Sequence, residues 1–425
     1  MTLMAPDIKR IGQTIRIYWP EYSAALMFDR LIERSDGLHA EIQPVINGVH
    51  SAIPNLLTPF KANLLSAHNR KQVTTRVAEN FRQNKIAIPV DHFVDQSIHW
   101  CIQTFRQGEP ATLLDEVAYI STPFIINPIV LKNMPSVVFG LAARGKSYFA
   151  LLACLLAETG QSLGALTVQR AHQTAYLDWE LDRSVQGYRK QQILRAHPTL
   201  RTKGPLHRRM VRPLADDLPA VAKIIEANDV DFVVIDSLAP AAGGDQIGAE
   251  GAIRFFEALR ILNVGCLILA HAPKPTENTK TKSIYGSVFF HNLARSVWEI
   301  ETEQESDSNE IRMGLFHRKN NFGPKHSPFG LKLHFPLEEQ DQEGGGLKFT
   351  HYDLVQDEEL SKGLPLRKRI AHALENGQMT ASQLAEQLDV PKNTIRARLS
   401  DGRGKYFVQL PGKDSEPMWG LLHKE

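Results

Sequence analysis

The sequence predicts an α/β protein built on a largely parallel sheet, with a mixed α+β region before it and a small helical module after it. Three observations lead there. Between about residues 121 and 355, short apolar runs alternate with helical stretches, the pattern of parallel strands covered by helices on both faces. At residues 140–147 a glycine-containing turn joins one apolar run to an apolar helix. Beyond a charged linker at 357–362, three short helical patterns and two strand-like ones make a compact tail.

At 425 residues the chain exceeds one ordinary domain, and the patterns divide it into 1–120, 121–356 and 363–425. Hydrophobic residues at 43% and charged residues at 23% are the composition of a globular protein, which excludes a disordered or fibrous chain. Forty-nine basic against forty-seven acidic residues leave a net charge of +2, so any surface for nucleic acid must be local. Cys101, Cys154 and Cys266 have no paired spacing for zinc or disulfides and read as buried hydrophobes in a reducing compartment. No apolar run approaches the ~18 residues needed to cross a bilayer, and no signal-peptide pattern opens the chain. The expectation is a cytoplasmic protein without a membrane partner.

In the first region, 14–19 and 39–45 read as strands and 70–82 and 90–106 as helices, with a turn-rich break at 106–110. No chemical motif is visible there, and oligomerisation or docking is the expected role. In the central region the order is strand 136–139, helix 146–157, strand 175–179, helix 220–227, strand 231–236, helix 250–262 and strand 264–270. Strand patterns follow at 294–301, 311–317, 331–335 and 347–352, with little helix between them, which predicts an antiparallel extension at one edge. A polar hairpin loop is expected at 340–346.

The turn reads Gly140, four residues, Gly145-Lys146-Ser147, following a strand and opening a helix. That context makes it a phosphate-binding loop: backbone N–H groups cradle phosphates, Lys146 adds a point charge, and Ser147 offers a hydroxyl to Mg²⁺. Ala143 and Arg144 complete the loop, and Arg144 either reaches the phosphates or pairs with a nearby acid. Asp236 ends a buried strand and suits the shell of the same Mg²⁺. Glu180, with Asp178 as the alternative, closes the preceding strand where a carboxylate can polarise a water attacking the γ-phosphate. A helix cap is the competing role for either. His271, at the tip of the next strand, is placed to sense that phosphate.

Together these strings resemble the RecA-like ATPases, most closely the RepA-type branch of hexameric plasmid and phage helicases. The strings are 140–147, Tyr176-Leu-Asp-Trp-Glu180, Ile235-Asp-Ser-Leu-Ala-Pro240 with Gly243-Gly244-Asp245, and Ala270-His-Ala-Pro-Lys274. Gly286-Ser287 followed by 292–295, and His317-Arg-Lys-Asn-Asn321, extend the likeness over about 125–335. The resemblance implies a RecA-like P-loop core that assembles as a ring or filament, a hexamer foremost, with ATP and Mg²⁺ at subunit interfaces. It implies a basic finger from the neighbour, matched here to Arg318 and Lys319. It also implies single-stranded DNA contacts in the loops 239–250 and 273–285, the second carrying Lys274, Lys280 and Lys282, with Tyr285, Phe289 and Phe290 as the only aromatics nearby.

The tail resembles a winged helix-turn-helix. Leu366–Leu374 is a helix stopped by Asn376-Gly377, Thr380 caps a second, and Val390-Pro391 starts a third. Leu384, Leu388, Ile395 and Leu399 are its core, and two short strands at 405–410 and 418–422 follow. Lys392, Asn393, Arg396, Arg398 and Arg403 suit base edges and phosphates of duplex DNA, with docking of a protein partner as the other use of such a module. The reading favoured is an ATP-driven oligomeric DNA motor or loader of a plasmid, phage or mobile element. The rival is a non-translocating ATP-dependent switch. A small-molecule kinase ranks third, because Glu180 and His271 suit attack by water and no arginine-rich lid is evident.

Overall fold

The computed structural model describes residues 5–11, 14–46, 57–83, 86–108, 123–244, 249–273, 284–286, 288–336, 345–412 and 416–422. Strands β1 (Asp7–Ile11), β2 (Thr14–Trp19), β3 (Ala24–Arg34), β4 (Gly37–Ile46) and β5 (Phe60–Asn63) form an antiparallel sheet in sequential order. Alternation along β2 turns Ile15, Ile17 and Trp19 inward, against Val73, Val77 and Phe81 of α1 (Ala67–Gln83) and Phe93 and Ile98 of α2 (Val90–Gln107). These residues make a hydrophobic core of their own. β2, β4 and both helices match the sequence reading, whereas β3 was hidden. Asp29, Arg30, Glu33 and Arg34 blur its alternation, and its pairing with β4 is interrupted between Asp29 and Ile32.

After the hairpin of β6 (Phe124–Ile126) and β7 (Val130–Leu131), the chain enters a nine-stranded sheet. In chain order its elements are β8 (Pro135–Gly140), α3 (Lys146–Thr159), β9 (Thr174–Asp178), α4 (Arg183–Ala196), β10 (Leu206–Arg209) and α5 (Leu214–Ala227). Next come β11 (Phe232–Asp236), α6 (Leu238–Ala241), α7 (Ala249–Leu262), β12 (Gly265–His271), α8 (Val288–Leu293) and β13 (Ser296–Glu303). β14 (Glu310–Asn320), β15 (Phe329–His334) and β16 (Lys348–Tyr352) complete it. The spatial order is β10-β9-β11-β12-β8-β13-β14-β15-β16. The first six run parallel and the last three antiparallel, as the sparse helices in that part of the sequence predicted.

Both faces of the parallel half are covered, which is why its strands read as unbroken apolar runs. On one face α3 lies over Val138, Tyr176, Val234 and Leu267, with every residue from Phe149 to Ala157 buried. On the other, α5 and α7 cover Val137, Leu177, Val233 and Ile268. Each buried Leu or Phe side chain contributes about 1.5–3 kcal/mol relative to exposure. All three cysteines are buried and unpaired.

The tail holds α9 (Glu358–Ser361), α10 (Leu366–Glu375), β17 (Met379–Thr380), α11 (Ala381–Leu388), α12 (Lys392–Gly402), β18 (Phe407–Leu410) and β19 (Met418–Leu421). Its three strands pair in the order β17-β19-β18 beside the helices. Thr380 and Gln383 form a reciprocal capping box at the start of α11. Leu384, Ile395 and Leu399 are buried, with Leu388 packed against them. The expected charged linker at 357–362 needs correction, because it is folded against the core. Asp357 caps α9 and pairs with Arg312 of β14 at 3.0 Å, while Leu354, Leu360 and Leu364 close over Phe316. Its charges hid one apolar anchor, Leu360, which Leu354 and Leu364 flank.

Candidate active site

The parallel strands β8, β9, β11 and β12 end together, and the residues singled out in the sequence lie at that edge. β8 runs into Gly140, where a Cβ would come within 2.6 Å of the Ile300 carbonyl, so only glycine fits. The loop closes at Gly145, which has φ +72 and acts as N-cap of α3. A side chain there would be strained. Ala143 holds a left-handed φ of +56 without being glycine. The Lys146 ammonium is buried and donates to the carbonyls of Gly140 (3.1 Å) and Leu141 (2.6 Å). Burial lowers its pKa, and the negative charges of Asp236 and Glu180 oppose that shift.

Asp236 is also buried, and desolvation raises its pKa against hydrogen bonds from Tyr176 and Ser147. The Tyr176 hydroxyl donates to Asp236 Oδ2 at 2.7 Å. The pair Ser147 and Asp236 fits Mg²⁺, which takes oxygen ligands, keeps several waters and uses few protein groups.

Asp178 and Glu180 take different partners. Asp178 is fully buried and accepts from the backbone N–H of Glu180 (2.9 Å) and Leu181 (2.8 Å) and from Gln186 Nε2 (2.7 Å). It holds the turn into α4, so the alternative base is a capping group. Glu180 is half-exposed, with the Ser237 hydroxyl donating to Oε1 at 2.7 Å and His271 Nε2 at 3.7 Å from the same oxygen. The His271 imidazole first, then the Ser237 hydroxyl, hold the Glu180 carboxyl below its usual range. His271 stands opposite Gly140 in the β12–β8 register, beside the start of the loop. Sequence reading missed Ser237 and Tyr176, although both stand inside strings it quoted. Only the strand packing shows that their hydroxyls turn toward Glu180 and Asp236.

Several nominated residues stand elsewhere. Arg144 pairs with no acid among the described residues: its guanidinium donates to the Thr302 carbonyl (3.0 Å) and hydroxyl (3.2 Å) on β13. The guanidinium thereby ties the loop to the neighbouring strand. The expected finger residues are both bound within this chain. Arg318 pairs with Glu299 (Nε–Oε2 2.6 Å) and Glu301 (3.1 Å), and Lys319 donates to the carbonyls of His291, Asn292 and Ala294. A cation at the end of α8 satisfies carbonyls that no helical N–H reaches. Lys274, Lys280 and Lys282 lie outside the described residues, as do 245–248 of the other loop. Tyr285 and Phe289 are exposed, but Phe290 is fully buried and belongs to the core.

In the C-terminal module Asn393, Arg396, Arg398 and Arg403 are exposed on and after α12. Glu416 reaches across to Lys392 (3.1 Å), Arg396 (3.5 Å) and Ser382 (2.6 Å), and Asp401 lies 3.7 Å from Arg398, so three of the nominated cations already face an acid.

A phosphate-binding loop after the central strand of a mainly parallel sheet, extended by antiparallel strands, defines a RecA-like P-loop fold carrying a C-terminal helix-turn-helix. Comparison with known families agrees at this level. Residues 122–277 match the family described as AAA domain, and residues 365–400 match the helix-turn-helix domain family. No curated protein matches the chain. Among solved structures, the KaiC-like protein PH0186 from the hyperthermophilic archaeon Pyrococcus horikoshii OT3 is similar at 12% identity and a TM-score of 0.37. That match covers 54% of this chain and 94% of the other. A likeness of that size supports no argument about function. The chain therefore carries an ATPase-type P-loop domain and a helix-turn-helix domain.

Proposed function

We propose that the protein is an oligomeric, DNA-binding ATPase that acts as a motor or loader of replicative-helicase type. The observation that carries the catalytic part is Glu180, held ionised by Ser237 and His271 at the strand edge where Lys146, Ser147 and Asp236 meet. In this reading the loop N–H groups and Lys146 bind the β- and γ-phosphates of ATP. Ser147 and Asp236 hold Mg²⁺, which when bound neutralises charge between those phosphates. Glu180 orients and deprotonates the attacking water, and His271 responds to the state of the γ-phosphate.

The DNA part rests on the helix-turn-helix match and on the exposed Asn393, Arg396, Arg398 and Arg403. In this reading oligomerisation supplies a second basic group beside Lys146. Arg318 is the better of the two expected fingers, because two glutamates can exchange it for phosphate while Lys319 is held by three carbonyls. The N-terminal unit, with its own core, is read as the docking or assembly element.

ATP turnover measured without DNA, with single strands and with duplex tests this directly. Stimulation by DNA together with strand displacement is expected, and Lys146→Ala should abolish turnover. Slow turnover indifferent to DNA would sink the motor in favour of the non-translocating switch, whose ATP-bound assembly is the second outcome to look for.

A further inference from the structure

The crossover from β9 to β10 is electrostatically unlike the rest of the chain. Residues 183–212 contain nine Arg and Lys and no Asp or Glu. The remainder of the protein carries forty basic and forty-seven acidic residues, so this one segment reverses the sign of the molecule. Part of the charge is used internally: Arg208 and Arg212 both pair with Asp217, and Arg189 lies over the Tyr148 ring at 4.7 Å. Arg183, Arg201, Lys203 and Arg209 instead stand exposed. None of these four has a salt bridge with a described residue, although Arg209 feels the charge of Asp182.

Two features argue against ordinary surface decoration. Charged residues on an edge strand prevent sheet-to-sheet aggregation, and β10 is an edge. That accounts for Arg208 and Arg209 but for nothing on α4 or the loop after it. Arg183 also occupies the first turn of α4, directly after the N-cap Asp182, whose carboxylate accepts from the Ser184 and Val185 N–H groups and already serves that helix end. A cation at that end of a helix opposes the macrodipole, so helix stability does not explain it.

We propose that this crossover, the outward face of α4 with the 201–209 segment, is a second nucleic-acid surface that binds the sugar–phosphate backbone without reading sequence. The partner follows from the charge and from the chain's own helix-turn-helix domain. With 14 residues α4 is about 21 Å long, over which one strand of a duplex presents about six phosphates. Tyr188, 54% exposed on the same helix, offers a ring where a base or sugar can pack. The surface lies on the sheet edge formed by β10, whereas the loops expected to meet single-stranded DNA follow β11 and β12.

The test is a full-length variant with Arg201, Lys203 and Arg209 all changed to alanine, compared with the unaltered protein on duplex and single-stranded oligonucleotides across a salt series. Each lost phosphate contact lowers the slope of log affinity against log salt by roughly 0.9 on duplex and 0.7 on single strands. A fall of about 2 to 3 is expected, with DNA-free ATP turnover and melting temperature unchanged. An unchanged slope overturns the proposal. A parallel variant with Arg396, Arg398 and Arg403 changed to alanine separates the two surfaces. If it removes all binding while the crossover variant removes none, the crossover is not a nucleic-acid surface.

Discussion

Asp178 and Glu180 are two residues apart, and the chain turns between them so that one faces inward and the other faces the phosphate loop. In an extended strand they would share a side, which is why the sequence leaves both as candidate bases. The strand stops at Asp178, whose carboxylate is engaged by two backbone N–H groups, Gln186 and His207, and Glu180 is left beside Ser237 and His271. Glu180→Gln should therefore lower turnover by about 10²–10⁴-fold with ATP binding retained, measured by single-turnover kinetics and nucleotide titration. Because the carboxyl is held below its ordinary pKa, turnover persists as pH falls and is lost only when pH drops through that lowered value. Ser237→Ala removes one group that lowers it. The acid limb of the pH–rate profile should then move to higher pH, and an unmoved limb would deny Ser237 this role.

At the level of elements, β13 and β14 are locked by a buried aromatic stack. His317 lies on Trp298 with centroids 4.2 Å apart and an interplanar angle of 5°, and His326 packs beside both rings, 5.3 Å from His317 and 6.3 Å from Trp298. His317 Nδ1 accepts from the His326 backbone N–H, and its Nε2 meets the Ser296 hydroxyl, so the neutral ring is fully used. Burial and the neighbouring His326 push its pKa down to about 4 from 6.5. An unfolded chain takes up this proton near pH 6.5, while the folded chain resists it until about pH 4. Stability from this site is therefore full above pH 6.5 and declines as pH falls toward 4, by up to about 3 kcal/mol. Denaturant titrations at pH 7 and pH 5 should show the loss, and His317→Gln should flatten it. The sequence marks His317 only as part of a basic string. Its register beside Trp298 depends on an irregularity in the β13–β14 pairing between Val297 and Trp298, which no local pattern announces.

Among the described residues, separate hydrophobic cores lie in the N-terminal unit, on each face of the nine-stranded sheet and in the C-terminal module, and a short packed segment lies between the last two. The proposed oligomer has a consequence at this scale. If a neighbour completes each site, turnover per subunit should rise steeply with protein concentration and plateau as assembly saturates, since a finger in trans is worth 10³–10⁵-fold in related chemistry. Concentration-independent turnover would show that each chain is complete alone.

Local sequence sufficed for the α/β class, the parallel core with its antiparallel edge, the phosphate loop, and the helical tail with Thr380 capping its second helix. These depend on local quantities: apolar periodicity, a glycine at a left-handed turn, a threonine before a helix. Tertiary structure alone decided that Glu180 rather than Asp178 stays available, that Tyr176 and Ser237 address the two key carboxylates, and that Arg144 and Lys319 are spent on Thr302 and on the end of α8. Those partners lie between 25 and 158 residues away along the chain. A side chain's hydrogen-bonding obligations are set by what the packed strands bring within 3 Å of it.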